Sequence, residues 1–157
     1  MHKAGFVNIV GNPNVGKSTL MNSLVGEKLS IITSKAQTTR HRILGIVNGE
    51  KFQLVLSDTP GVIKPSYELQ SSMMDFVKTA IDDADILIYM IEIGESSLKD
   101  ENLFNKIKSS SIPVVVLINK IEEPKKSQQV AVKTKHLLEK NLWSYISNRY
   151  SISAAND

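Results

Sequence analysis

The sequence predicts an α/β domain with helices on both faces of a mostly parallel sheet, and three observations predict it. Four apolar runs, GFVNIV (5–10), QLVLS (53–57), DILIYMI (85–91) and PVVVLI (113–118), are continuous rather than alternating, the pattern of strands covered on both faces. Stretches with helical spacing separate them, so strand and helix alternate along the chain. A glycine-rich turn, GNPNVGKSTL (11–20), joins the first apolar run to the first helical stretch.

The elements follow in order. After the strand at 5–10, KSTLMNSLVG (17–26) reads as a helix with Gly26 as its C-cap. RILGIV (42–47) and KFQLVLS (51–57) are strand-like runs joined by NGE. Asn48 and Gly49 both tolerate positive φ, which predicts a tight hairpin and one antiparallel edge strand. Helices are expected over 69–84 and 99–110, and strands over 85–91 and 113–118. Residues 122–142 read as a loop, with Pro124 starting a basic helix, and 148–153 as a last strand. The sheet is therefore expected to have six strands.

Composition narrows the function classes. At 157 residues and 41% hydrophobic content the chain suits one compact domain. Its net charge of +3, from 19 basic against 16 acidic residues, suits an anionic ligand without implying that the chain wraps nucleic acid. With no cysteine there is no disulfide, thiolate metal site or cysteine nucleophile, which is compatible with a reducing compartment. No apolar run approaches the roughly 20 residues of a membrane span, and Gly11 and Pro13 interrupt the N-terminal one before it reaches signal-peptide length. A cytoplasmic location is the expectation.

Gly11 to Ser18 fit G-x-x-x-x-G-K-[ST] between a strand and a helix, the context that motif requires. Glycine lets backbone N–H groups approach a phosphate, and the helix N-terminus adds partial positive charge. Lys17 would reach the β- and γ-phosphates and Ser18 would offer its hydroxyl to Mg²⁺. DTPG (58–61) stands at the end of a buried strand, where Asp58 can hold Mg²⁺ through water and the Gly61 amide can sense a terminal phosphate; the same four residues also make an ordinary turn. INKIE (118–122) follows another buried strand. There a carboxylate can accept from the guanine N1–H and exocyclic amine, and adenine offers neither; an Asn-Lys turn into a charged loop would read the same way. AQTTRHR (36–42) is, on its own residues, only a polar loop.

Taken together, GNPNVGKST, KAQTTRHR, DTPG, NKIE and SAA resemble the five guanine-nucleotide motifs in order, and KAQTTRHRI with GxPNVGKSTL is similar to the Era-type GTPases of the TrmE-Era-EngA class. The resemblance implies a P-loop NTPase fold of the Ras-like G-domain kind over 1–157, a switch that binds GTP and hydrolyses it slowly to GDP. It implies that Gly11, Asn12, Pro13, Asn14, Val15, Gly16, Lys17, Ser18 and Thr19 surround the phosphates. Ser18 then ligates Mg²⁺ directly, Thr39 is its second ligand, Asp58 acts through water, and Asn14 is tied to potassium. Lys17, Thr39 and Gly61 serve the hydrolysis. Asn119, Lys120, Glu122, Ser153 and Ala154 hold the guanine base, and the loops around 27–40 and 61–72 respond to the γ-phosphate.

Three departures from the family pattern matter. Val62 follows DTPG where Ras-type GTPases carry a water-positioning glutamine. Glu122 stands where the family has aspartate. The chain ends at Asp157, after SAA, whereas Era-type proteins continue with a closing helix and a KH-type RNA-binding domain. The resemblance thus implies a G domain without its last helix, with contacts to ribosomal RNA or the small ribosomal subunit belonging to a longer protein, and a monomer or weak dimer. Two rivals remain at this level: a nucleotide-binding module without turnover, and an ATP-using P-loop kinase or ATPase. His2, His41 and His136 have no partner at ligand spacing, Trp143 and Tyr145 read as core or interface residues, and the basic run after Pro124 reads as a solvated helix face.

Overall fold

The computed structural model describes residues 1–30, 39–95, 99–120 and, for the backbone, 146–151. The elements in chain order are β1 (Lys3–Gly11), α1 (Lys17–Val25), β2 (Ile43–Asn48), β3 (Phe52–Asp58), α2 (Glu68–Asp82), β4 (Ile86–Glu92), α3 (Glu101–Ser109), β5 (Val114–Asn119) and β6 (Ile146–Ser151). The strands form one sheet in the order β2-β3-β1-β4-β5-β6. Every neighbouring pair is parallel except β2 with β3, which places the antiparallel strand at an edge.

The continuous apolar runs are explained by burial on both faces. Along β4, Leu87, Tyr89 and Ile91 point into a core with Met73, Met74, Val77 and Ile81 of α2 and Leu103, Phe104 and Ile107 of α3. The intervening Ile88 and Met90 point the other way, onto Met21, Leu20 and Val25 of α1. The two-residue period of a strand thus feeds two cores, and each fully buried aliphatic side chain contributes about 1.5–3 kcal/mol.

Helix ends follow local chemistry. Gly26 closes α1 at φ 78°, with its N–H on the Asn22 carbonyl at 3.0 Å. The Asp100 side chain caps α3 by accepting from the N–H groups of Asn102 and Leu103 at 2.9 and 3.1 Å. The expected helices at 69–84 and 99–110 differ from α2 and α3 by one or two residues per end, the usual fraying. The last strand lies two residues earlier than expected, at Ile146–Ser151.

The hairpin and its antiparallel edge strand form as expected, and only the turn differs. Neither Asn48 nor Gly49 adopts positive φ; among the described residues that region holds Asn14, Gly16, Gly26, Gly94 and Lys120. Three residues, Gly49 to Lys51, connect β2 to β3, and the Gly49 N–H reaches the Phe52 carbonyl at 2.8 Å. A connection of that length needs no primed two-residue turn. A Cβ on Gly49 would meet the ring of Phe52, an exposed side chain that would have to swing aside. The basic stretch after Pro124, with His136, Trp143 and Tyr145, lies outside the residues whose side chains are described, as do Glu122, Ser153 and Ala154.

Candidate nucleotide site

The C-terminal ends of β1, β3, β4 and β5 lie side by side, and β1 is flanked by strands reached in opposite winding directions. In an open α/β sheet that is the crevice where ligands bind. Gly11 ends β1 so close to β4 that a Cβ would strike the Met90 carbonyl. The loop then turns through Asn14 at φ 62° and Gly16 at φ 105°, both left-handed, which favours asparagine and requires little of glycine. A Cβ on Gly16 would also strike the Asn119 side-chain amide.

α1 begins at Lys17 with no side-chain cap and no acidic residue in its first turn. Its leading N–H groups are left to whatever anion the loop encloses. Thr19 lies in that first turn. The Lys17 ammonium is buried and donates to the carbonyls of Gly11 and Asn12 at 3.1 and 2.9 Å. Burial lowers its pKa to about 8, against the opposing pull of Asp58 and Glu95.

Beside it, three side-chain oxygens converge from three separate segments. Ser18 donates to Asp58 Oδ2 at 2.6 Å, and Thr39 Oγ1 lies 3.5 Å from the same oxygen and 3.4 Å from Ser18 Oγ. Asp58 is fully buried, yet its Oδ1 has no hydrogen-bond partner. Two hydroxyls and one carboxylate with an orphaned oxygen form a hard donor set suited to Mg²⁺, which keeps several waters and shares its shell with phosphate. Among the described residues there is no group of three or more His, Cys, Asp or Glu that could form a protein-only cage.

The Asp58–Gly61 segment is strapped to the phosphate loop. Thr59 donates to the Ile9 carbonyl at 2.7 Å, and the Val62 N–H donates to the Gly11 carbonyl at 2.9 Å. Gly61 faces Pro13 so closely that a Cβ would come within 2.7 Å of the Pro13 Cα. The Val62 side chain points away, into the α2–α3 core.

At the end of β5, Asn119 is buried and donates to the Val15 carbonyl at 2.8 Å. Lys120 takes φ 60° and sets its ammonium 3.0 Å from Glu92 Oε2 at the end of β4. The structure thus brings Gly11 to Thr19, Thr39, Asp58, Gly61, Asn119 and Lys120 to one edge of the sheet. Asn14 sits exposed at the tip of its loop.

One residue of this neighbourhood was invisible to motif reasoning. Glu95 accepts from Asn12 Nδ2 at 2.9 Å and from the Glu92 N–H at 3.1 Å, bracing the second residue of the phosphate loop. Burial pushes its carboxyl above the usual range. Its only sequence signal was the glycine just before it: Gly94, at φ 91°, turns the chain back over the end of β4. A separate cavity of about 790 Å³ lies between α2 and α3, lined by Lys64, Met74 and Leu103 among others, and includes none of the phosphate-loop residues.

A mixed sheet with one antiparallel edge, a phosphate loop after its first strand and a hydroxyl–carboxylate cluster beside that loop define a P-loop GTPase fold. The chain belongs to the 50S ribosome-binding GTPase family, whose profile matches residues 6–120. It is 42% identical over 127 residues to GTPase Era of Clostridium kluyveri, an alignment that takes in 78% of this chain and 42% of the relative. It superposes on Era in complex with MgGDPNP and nucleotides 1506–1542 of 16S ribosomal RNA with TM-score 0.86 and 39% identity, over 98% of this chain and 52% of that one. An Aquifex aeolicus Era variant bound to GDP.AlF4- gives TM-score 0.85 and 39% identity, with 97% and 52% covered. The chain therefore spans about half the length of the Era proteins it matches, or less. Among the described residues no helix is long and apolar enough to cross a membrane.

Proposed function

We propose that residues 1–157 form the GTP-binding domain of an Era-like ribosome-assembly protein, which binds GTP with Mg²⁺ and hydrolyses it slowly to GDP and phosphate. The observation that carries this reading is the convergence of Ser18, Thr39 and the half-unpartnered Asp58 carboxylate next to the buried Lys17 ammonium. The relatives supply the nucleotide and the cellular setting: Era is bound to MgGDPNP and 16S rRNA in one structure and to GDP.AlF4- in another.

The chain's own groups do the following. Lys17 exchanges its two carbonyl partners for phosphate oxygens, and the amides of Asn14 to Thr19 turn their dipoles on the same charge. Ser18, Thr39 and, through water, Asp58 would hold Mg²⁺, which would supply positive charge against the charge that develops on the phosphates during hydrolysis. The Gly61 amide faces the terminal phosphate, so its loop and Thr39 register whether that phosphate is present. No polar side chain follows Gly61 to orient water. GTPases stimulated by an activating partner gain about 10⁵-fold, roughly 7 kcal/mol of barrier, so without that stimulation and without a polar group beside Gly61 intrinsic turnover is slow.

The finer assignments rest on the family resemblance. Asn14, exposed and left-handed at the loop tip, ties potassium. Asn119 and Lys120 flank the base, Glu122 accepts from guanine, and the Ser153–Ala154 backbone supports its O6. Contacts with ribosomal RNA belong to the longer protein, which works in the cytoplasm. Competition of GTP against ATP and GDP, with phosphate release followed in potassium and in sodium, tests the whole reading. Equal affinity for ATP overturns it, and binding without release reduces the domain to a nucleotide-holding module.

A further inference from the structure

Between the segment bearing Thr39 and helix α2 lies a polar network that no part of the nucleotide chemistry uses. Arg42, the residue before β2, donates from Nε to Ser57 Oγ at 2.6 Å and from Nη2 to Asn8 Oδ1 at 3.0 Å and Asp83 Oδ1 at 3.1 Å; its Nη1 pairs with Asp83 Oδ2. Asn8, fully buried, turns its amide to the Ala80 carbonyl at 2.5 Å and to Asp83 at 2.7 Å. Asn8 and Ser57 are paired residues on adjacent strands, so the guanidinium lies along one row of β1 and β3 and reaches the C-cap of α2. One residue earlier, the His41 ring meets Phe76 of α2 edge-on, with centroids 5.5 Å apart.

The placement matters because of what lies on either side. Thr39 is three residues before Arg42, and Ser57 immediately precedes Asp58, the carboxylate that Thr39 approaches. The two segments that would sense the terminal phosphate are thus joined twice: at the cation cluster, and again through Arg42, whose partner Ser57 adjoins Asp58. The Arg42 side chain is only 15% exposed and satisfies acceptors on three elements with one rigid fork. A lysine, a single point of charge, cannot do this.

We propose that Arg42 is a positioning residue for Thr39: clamped to Ser57, Asn8 and Asp83, it fixes the end of the Thr39 segment on β3 and α2 so that the threonine hydroxyl stands at Asp58 when a γ-phosphate is bound. The inference rests on the GTPase reading above.

The test compares affinity for a non-hydrolysable GTP analogue with affinity for GDP, in Mg²⁺ and in chelator. In the parent protein Mg²⁺ favours the analogue, and Thr39→Ala removes that preference. Arg42→Lys lowers the same preference about tenfold, leaves GDP affinity in chelator within about twofold, and adds nothing when combined with Thr39→Ala. Asp83→Asn, which keeps the shape of the cap, moves the preference in the same direction should Arg42→Lys fold poorly. In the nucleotide-free protein both variants speed amide exchange over residues 39–43. Equal losses for both nucleotides, full additivity with Thr39→Ala, or unchanged exchange would reduce Arg42 to a brace of the sheet. A Thr39→Ala protein with the parent's Mg²⁺ preference overturns the inference by removing the function Arg42 would serve, while GTP binding that survives in it leaves the nucleotide reading standing.

Discussion

Val62 and Gly11 are joined by their backbones at 2.9 Å, while the Val62 side chain points the opposite way, into the core between the sheet and α2. The position that follows the DTPG turn is therefore a structural anchor on one side and an apolar plug on the other. Replacing Val62 with glutamine should not create a water-orienting group. It should bury an amide among Val10, Met73 and Met74, at a cost of about 1–3 kcal/mol. Denaturant unfolding should show the loss, and single-turnover phosphate release should stay at the parent rate.

Lys17 gives a signed pH dependence. Its folded pKa of about 8 lies below the unfolded value of 10.5, so between those limits the unfolded chain binds more protons than the folded one. Stability of the nucleotide-free protein should gain a contribution that grows as pH rises from about 8 towards 10.5. Lys17→Met should remove that slope, as measured by urea unfolding at a series of pH values. Nucleotide phosphates favour the charged ammonium, so with GTP bound the slope should shrink as well.

Ser18→Ala takes away the one short hydrogen bond to Asp58 and leaves both carboxylate oxygens poorly satisfied. The expected result is a loss of Mg²⁺-dependent nucleotide affinity of about tenfold or more, because Ser18 would give up its bond to Asp58 to ligate the cation and alanine has no oxygen to offer it. Affinity in chelator should change far less. A magnesium titration of GTP binding separates the two.

Glu95→Ala removes the partner of the Asn12 side chain and of the Glu92 amide. Loosening the loop that holds Lys17 should weaken GTP and GDP together, by about 1 kcal/mol, with no change in their ratio. Equilibrium binding of both nucleotides checks it.

Glu122→Asn probes the base. If the carboxylate pairs with guanine, the variant should lose GTP affinity and gain for xanthosine triphosphate, since an amide complements the extra carbonyl of xanthine. Competition between the two nucleotides decides the matter.

The sequence announced what depends on near neighbours and hid what depends on folding back. Continuous apolar runs marked β1, β3, β4 and β5, and Gly11 and Asp58 could be placed at strand ends because a buried strand must stop where polar residues begin, with Lys17 at the start of the helix that follows. The hairpin and its antiparallel edge strand were legible, but not the form of the turn: neither Asn48 nor Gly49 uses positive φ, and the connection has three residues. Glu95 touches Asn12 across 83 positions, and Arg42 reaches Asp83 across 41. Arg42 closes the AQTTRHR stretch and Glu95 follows Gly94, but neither pattern names the distant partner, which only the chain's closure reveals. Glu122, Ser153 and Ala154 lie outside the described residues, and their roles rest on sequence resemblance alone.

The bond from Asn119 to the Val15 carbonyl spans 104 positions of sequence and ties the end of β5 to the middle of the phosphate loop. It turns that flank into the fixed jaw of a caliper. The gap between jaw and loop is then set by the sheet, whose strands are already fully paired there. The spacing on that flank is therefore held by the chain itself, before any ligand arrives.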